Sequence, residues 1–147
     1  MQQKRNKVSV RYALKKTFIT NLVNTYLNYQ FIELKGKTLS QLGWKFGGFQ
    51  NLETARGYCS KEKKLIEIGI TTLLDRSIDS EQFVTIVLHE IAHAVEIEQF
   101  GSTKNHNKRY KMVCYSVGDQ TNVSGYMIYT EIASATDYFN KNEERFY

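Results

Sequence analysis

Proline is absent from all 147 residues. No repeat and no low-complexity linker interrupts the chain either, so nothing marks a domain boundary. We therefore expect one domain over residues 1–147, with its core in about 10–118 and a tail over 119–147. Cysteine is nearly absent: Cys59 and Cys114 are the two present. Two thiols make neither a disulfide framework nor a four-cysteine zinc ribbon, and both read as reduced, semi-buried side chains. No apolar run approaches the ~18–20 residues needed to cross a bilayer, so no membrane role is expected. The opening MQQKRNKVSVRYALKK is basic but lacks an apolar stretch behind the charges. That pattern predicts no secretory signal and a cytoplasmic location, in the host if the gene is a phage gene. Nothing asks for an obligate oligomer, and a monomer is expected.

What is present suits a soluble globular chain. Apolar residues make up 41% and charged ones 24%, enough for a core of useful size at this length. A composition without proline and rich in Asn, Lys, Ile and Tyr is associated with AT-rich bacterial or phage genomes. The formal net charge is +5, with an isoelectric point near 9.1. The cations gather in two clusters, Lys4, Arg5, Lys7, Arg11, Lys15 and Lys16, then Lys104, Lys108, Arg109 and Lys111. The plain reading of each is a solvated face; the functional reading is a surface that attracts phosphates, such as those of DNA.

Periodicity divides the chain into elements. Val10 to Gln30 reads as a helix with Leu14, Phe18, Leu22 and Tyr26 on one face, widened by Val23 and Leu27. LGWKFGGF, residues 42–49, reads as extended, its glycines marking a bulge or a close backbone approach. Residues 55–60 and 64–70 flank the polar SKEKK turn as a hairpin, with Ile66, Ile68 and Ile70 on the buried face. These three segments predict a three-stranded antiparallel sheet. Asp79 is a candidate N-cap with Gln82 at N3, opening a helix over Ser80–Phe100 that Gly101 ends. Another helix is expected from Asn107 to Val117, with Tyr110, Val113, Cys114 and Val117 on its apolar side and Gly118 as its stop. VSGYMIYT then reads as extended and EIASATDYFNKNEERF as helical. The fold class is α+β.

One stretch carries chemistry. In VLHEIAHAVE, residues 87–96, the polar His89, Glu90 and His93 interrupt an apolar helix. Burying such groups costs several kcal/mol unless something satisfies them, with about 2–7 kcal/mol typical for an unpaired polar group. Four residues apart, His89 and His93 share one helix face and can converge on one metal ion. Glu90 stands beside them as a general base for water. This is the H-E-x-x-H pattern of zinc peptidases. The bland alternative is a pair of hydrogen-bonded helix histidines. A catalytic zinc takes a third protein ligand, and His106, the remaining histidine of the chain, can be turned back by the loop after Gly101. Glu131 is the other candidate. The glycine of the extended H-E-x-x-H-x-x-G-x-x-H arrangement is missing, which excludes that class. Among the ten tyrosines, Tyr110 and Tyr126 are candidates for transition-state support. Trp44, Phe46 and Phe49 read first as strand core and second as stacking platforms for unpaired bases.

Three segments together resemble the SprT-like family of zinc metallopeptidases. WKFGGFQNLETARGYCSKEKKLIEIG resembles the family's sheet, VLHEIAHAVE its zinc helix, and NHNKRYKMVCYSVG its third-ligand segment; with the first helix the resemblance covers roughly residues 10 to 118. It implies a zincin-like core with zinc held by His89, His93 and His106, and Glu90 as general base. It also implies peptide-bond hydrolysis, with DNA-associated proteins as a substrate class. Asn107 departs from the family's usual glycine, a position where Asn tolerates left-handed backbone. No cysteine follows Cys114, so the Cys-x-x-Cys ribbon that many members carry is not written here. The competing expectations are a zinc-stabilised module that binds nucleic acid or a partner without catalysis, and a structural protein without metal.

Overall fold

The computed structural model describes residues 2–103 and 106–131, with side chains from Arg11 onward. Among them, five α-helices and one three-stranded sheet make a mixed α/β arrangement. None of these helices is long and apolar enough to cross a membrane.

Helix α1 spans Gln2–Leu27, beginning well before Val10. Its buried row is Ile19, Val23 and Leu27, the last two expected as the margin of the stripe; Leu22 and Tyr26 of the stripe pack partly on the core, whereas Leu14 and Phe18 are 64% and 38% exposed. The two rows lie about 100° apart on the helix. Both have helical spacing, and only the packing partners, α3 and β1, decide which one meets the core.

The strands are β1 (Lys45–Gln50), β2 (Gly57–Ser60) and β3 (Leu65–Gly69), in the order β1-β3-β2. The β2/β3 hairpin is antiparallel, with Gly57 opposite Ile68 and Ser60 opposite Leu65. Strand β1 runs parallel to β3, Lys45 beside Leu65 and Gln50 beside Gly69. The expected antiparallel sheet is therefore corrected to a mixed one. The cause is the apolar content of β3: Ile66 and Ile68 are fully buried, while Tyr58 on β2 is half exposed. The most buried strand takes the centre and β2 takes an edge. The connection from β1 must then cross the end of β3, where the Gly69 N–H donates to the Arg56 carbonyl at 2.8 Å. The anticipated bulge is present as a register slip between Phe46 and Gly48. Ile70 leaves the sheet and starts the short α2 (Ile70–Leu74).

Helix α3 occupies Ser80–Phe100, the span expected. Asp79 accepts from the Gln82 N–H at 2.9 Å and the Gln82 side chain accepts from the Asp79 N–H at 3.1 Å, a complete capping box. Gly101 closes the other end in left-handed conformation. Ile86, Leu88, Ile91, Ala92, Ala94 and Val95 are all buried; a helix apolar on every side belongs at the centre of a core. It packs on α1, β2 and β3 and on the helices that follow. Trp44 is buried, and its indole N–H donates to Glu98 Oε2 at 2.8 Å, so it is core rather than a base-stacking platform. Phe46 and Phe49 meet edge to face at 5.3 Å and pack on the same core. Cys59 and Cys114 are free thiols, the second of them buried.

Two expectations after α3 are corrected. Helix α4 spans Lys108–Thr121 and ends on left-handed Asn122, so Gly118 lies inside it. A Cβ at Gly118 would stand 2.4 Å from the Val123 carbonyl oxygen and 2.8 Å from the Gly125 nitrogen, which makes this glycine a contact point rather than a stop. The segment read as extended is helix α5, Gly125–Thr130, capped by Ser124. It packs against α4 and α3. The helix expected over residues 131–146 falls, beyond Glu131, outside the described residues.

Candidate metal centre

His89 and Glu90 are buried at 3% and 4% exposure, His93 is half-buried, and His106 is exposed. All four open on one cleft of about 340 Å³, to which Arg56, Cys59, Thr103 and Glu131 also contribute. The structure brings the three imidazoles together. His89 Nε2 lies 3.0 Å from His106 Nε2, and His93 Nε2 lies 3.3 Å from the same atom. Four-coordinate ligands at 2.0–2.1 Å stand about 3.3 Å apart, so these separations suit donors to one ion. The donor atoms of the trio all fall within 4.8 Å of one another, and the group can hold a metal ion.

Protonation supports the same fit. A carbonyl oxygen only accepts, so the 2.8 Å contact between His89 Nδ1 and the Ile128 carbonyl puts the proton on Nδ1. The lone pair is left on Nε2, the nitrogen that faces the other two rings. Orienting contacts to the far nitrogen are the usual support of metal-binding histidines. His93 Nδ1 is likewise held by the Thr103 hydroxyl at 2.7 Å. Burial, then the charges of His89 and His106, lower the His93 pKa to about 3, so its ring is neutral and free to donate a lone pair.

Local sequence explains the third arm. Gly101 turns the chain, and Asn107 restarts it as the N-cap of α4, its side chain accepting from the Tyr110 N–H at 3.0 Å. Asn107 has φ −82°, so the left-handed backbone anticipated there is not needed; a side chain that caps is. His106 is thereby delivered immediately before α4.

Several groups support the ligands; the sequence pointed to Tyr110 among them, but not to Thr103, Ile128 or Tyr129. Tyr110 is buried, its ring stacks on His93 at 4.0 Å and 12°, and its hydroxyl donates to the His89 carbonyl at 2.7 Å. That engagement removes it from the candidates for transition-state support. The Tyr129 hydroxyl donates to the His106 carbonyl at 2.6 Å. Helix α5 thus steadies two imidazoles, through the Ile128 carbonyl and Tyr129. Period alone could not reveal this, because the segment alternates like a strand.

Glu90 lies against the start of β2. A Cβ at Gly57 would come within 2.9 Å of Glu90 Cγ and Oε2, so only glycine leaves space for the carboxylate there. Burial, then the charge of Glu131, raise the Glu90 pKa well above its ordinary value. Burial, then Glu90, also push the Cys59 thiol up, so it stays a thiol. Glu131 Oε1 approaches His89 Nε2 to 3.5 Å, and His89, Glu90 and Glu131 form a second group able to hold a metal ion. The two groups share His89. Of the basic residues, Arg11, Lys15 and Arg76 line one cavity of about 310 Å³, while the Lys111 ammonium sits 5.6 Å over the Tyr129 ring.

No curated protein and no solved structure matches the chain. A profile of the SprT-like family matches residues 5–131 of the 147. The matched span exceeds the 10–118 over which the resemblance was drawn, and it takes in α5 and Glu131. On that match, the chain belongs to the SprT-like family.

Proposed function

We propose that this chain is a zinc-dependent endopeptidase with a zincin-like core. The observation that carries the reading is the meeting of three imidazole nitrogens beside a buried carboxylate in an open cleft. His89, His93 and His106 would hold the ion through Nε2. Zinc supplies Lewis acidity at such a site, polarising a carbonyl and acidifying water. Glu90 takes the proton of the attacking water on its carboxylate and passes it to the leaving amine. Its desolvated setting makes it a stronger base once ionised. Tyr110 and Thr103 fix the His93 ring, and the Ile128 carbonyl fixes the His89 tautomer. Strand β2, an edge of the sheet beside the cleft, offers unpaired backbone groups to an extended peptide.

Proteins associated with DNA are the substrate class we propose. The net charge of +5 and the gathering of Arg11, Lys15 and Arg76 support an anionic partner. The test is cleavage of a flexible basic protein, with and without DNA, by wild type and Glu90→Gln at equal zinc content. Glu90→Gln should lower the rate about 10²–10⁴-fold, the range for loss of a general base. Wild-type protein that holds one zinc and cuts nothing in a broad panel would defeat the proposal.

A second reading, a zinc-stabilised binding module without catalysis, draws on Glu131. A carboxylate 3.5 Å from His89 Nε2 is placed to close the remaining coordination position, which catalytic zinc keeps open. Under that reading Glu90→Gln leaves the biological activity intact.

A further inference from the structure

Glu96 lies on α3 one turn beyond His93 and is fully buried. Its Oε1 has no hydrogen-bond partner among the described residues. A buried carboxylate so poorly matched to its surroundings is expensive, and Arg109 reaches it, its Nε meeting Glu96 Oε2 at 3.1 Å. The other end of the same guanidinium is also engaged. Arg109 Nη2 donates to the Ser102 carbonyl at 2.9 Å and to the Ser102 hydroxyl at 3.2 Å. Its plane rests over the Phe100 ring at 4.5 Å.

These contacts close a ring around the third-ligand loop. Arg109 sits in the first turn of α4, three residues after His106. Ser102 adjoins Thr103, whose hydroxyl holds His93 Nδ1. The guanidinium therefore grips both ends of the segment that presents His106, and anchors it to the helix carrying the other two imidazoles. We propose that Glu96 and Arg109 are a positioning pair that sets the metal affinity of the centre by fixing Thr103 and His106 against α3. The proposal rests on the metal-site reading above and adds residues that reading does not use. Arginine is required because its planar fork serves the carboxylate and Ser102 at once; a lysine ammonium is a single point charge on a flexible stem.

The test uses the full chain as Arg109→Lys and as the double variant Glu96→Leu with Arg109→Met. Glu96 is fully buried and the Arg109 side chain 37% exposed; removing both charges together leaves no buried carboxylate unpaired, so the double variant separates positioning from folding. Four quantities are measured: zinc affinity by chelator competition, the visible spectrum of the Co²⁺-substituted protein, amide exchange over residues 102–107, and thermal stability. We expect zinc affinity to fall about 10–100-fold, the range for lost outer-sphere support. The Co²⁺ bands should shift and exchange over 102–107 should quicken, while the double variant keeps wild-type thermal stability. Either variant folding with wild-type zinc affinity, Co²⁺ spectrum and loop exchange overturns the proposal. If Arg109→Lys does not fold, the double variant decides. Failure of the peptidase reading looks different: Glu90→Gln would leave activity unchanged with the loop intact. Should wild type take up no zinc, exchange in the metal-free variants still decides whether the pair holds the loop.

Discussion

Glu90 and Gly57 meet where α3 passes the start of β2, and the missing methyl of Gly57 is what admits the carboxylate. Gly57→Ala would set a Cβ 2.9 Å from Glu90 Cγ and Oε2, so the acid must shift. We expect a 10–100-fold loss in kcat/KM, since misplacing a reacting group by about 1 Å costs on that order. Zinc stoichiometry should stay unchanged and stability should fall by about 1 kcal/mol. Steady-state kinetics beside metal analysis checks it. His93 allows a test by pH. Its pKa of about 3 in the folded chain lies below the ordinary 6.5. As the pH falls through 6.5, the unfolded chain binds a proton at His93 that the folded chain refuses until about 3, so stability is lost across that window. Glu90 works in the opposite sense. Its raised pKa keeps a proton in the folded chain that the unfolded one sheds near 4.5, so stability is lost as the pH rises from there. In metal-free Glu90→Gln the second effect is gone. Urea midpoints of that variant should drop between pH 7 and pH 5, and adding His93→Gln should flatten the profile.

At the scale of elements, α5 is the piece on which the centre leans most and the one the sequence disguised. Gly118→Ala would push a Cβ into backbone atoms of Val123 and Gly125 and drive α5 away from α4. We expect a cost of about 1–3 kcal/mol, typical of overpacking. Zinc binding should weaken as well, because the Ile128 carbonyl and Tyr129 move away from His89 and His106. Urea denaturation and chelator competition measure the two effects separately. Helix α3 was legible to the residue, because Asp79, Gln82 and Gly101 are local signals that act on their own neighbours. The meeting of His89 with His93 was legible for the same reason, as a four-residue spacing on one helix. His106 was recognisable as a candidate, but its arrival depends on Asn107 as a cap, a chemistry different from the left-handed turn that was anticipated. Long-range choices left no mark. The row of α1 that faces the core, the parallel pairing of β1 and the helicity of residues 125–130 are each decided by a partner distant in sequence. Arg109 stands in a basic cluster in the sequence, and its partner Glu96 lies thirteen residues earlier on another helix.

For the whole molecule, the proposed metal links α3 to the loop before α4, and metal and fold should therefore rise and fall together. Ligand bound only to the folded state adds RT ln(1 + [L]/Kd), about 4 kcal/mol at a thousandfold excess over Kd. Chelation should lower the thermal midpoint, and titration with zinc should restore it in proportion to the logarithm of free metal; calorimetry at several zinc levels tests this. A midpoint indifferent to chelator would mean that the three imidazoles meet without binding. The part played by α5 reaches further, into the protein's synthesis. A chain leaving the ribosome can form α3 early, with the H-E-x-x-H pair already in place. The ring of His89 has no carbonyl to fix its tautomer, however, and His106 has no tyrosine to hold its backbone, until Ile128 and Tyr129 have emerged and docked. The proposed metal centre is thus complete only after nearly all of the described fold exists, so the peptidase proposed here would be spared from acting on its own half-made chain.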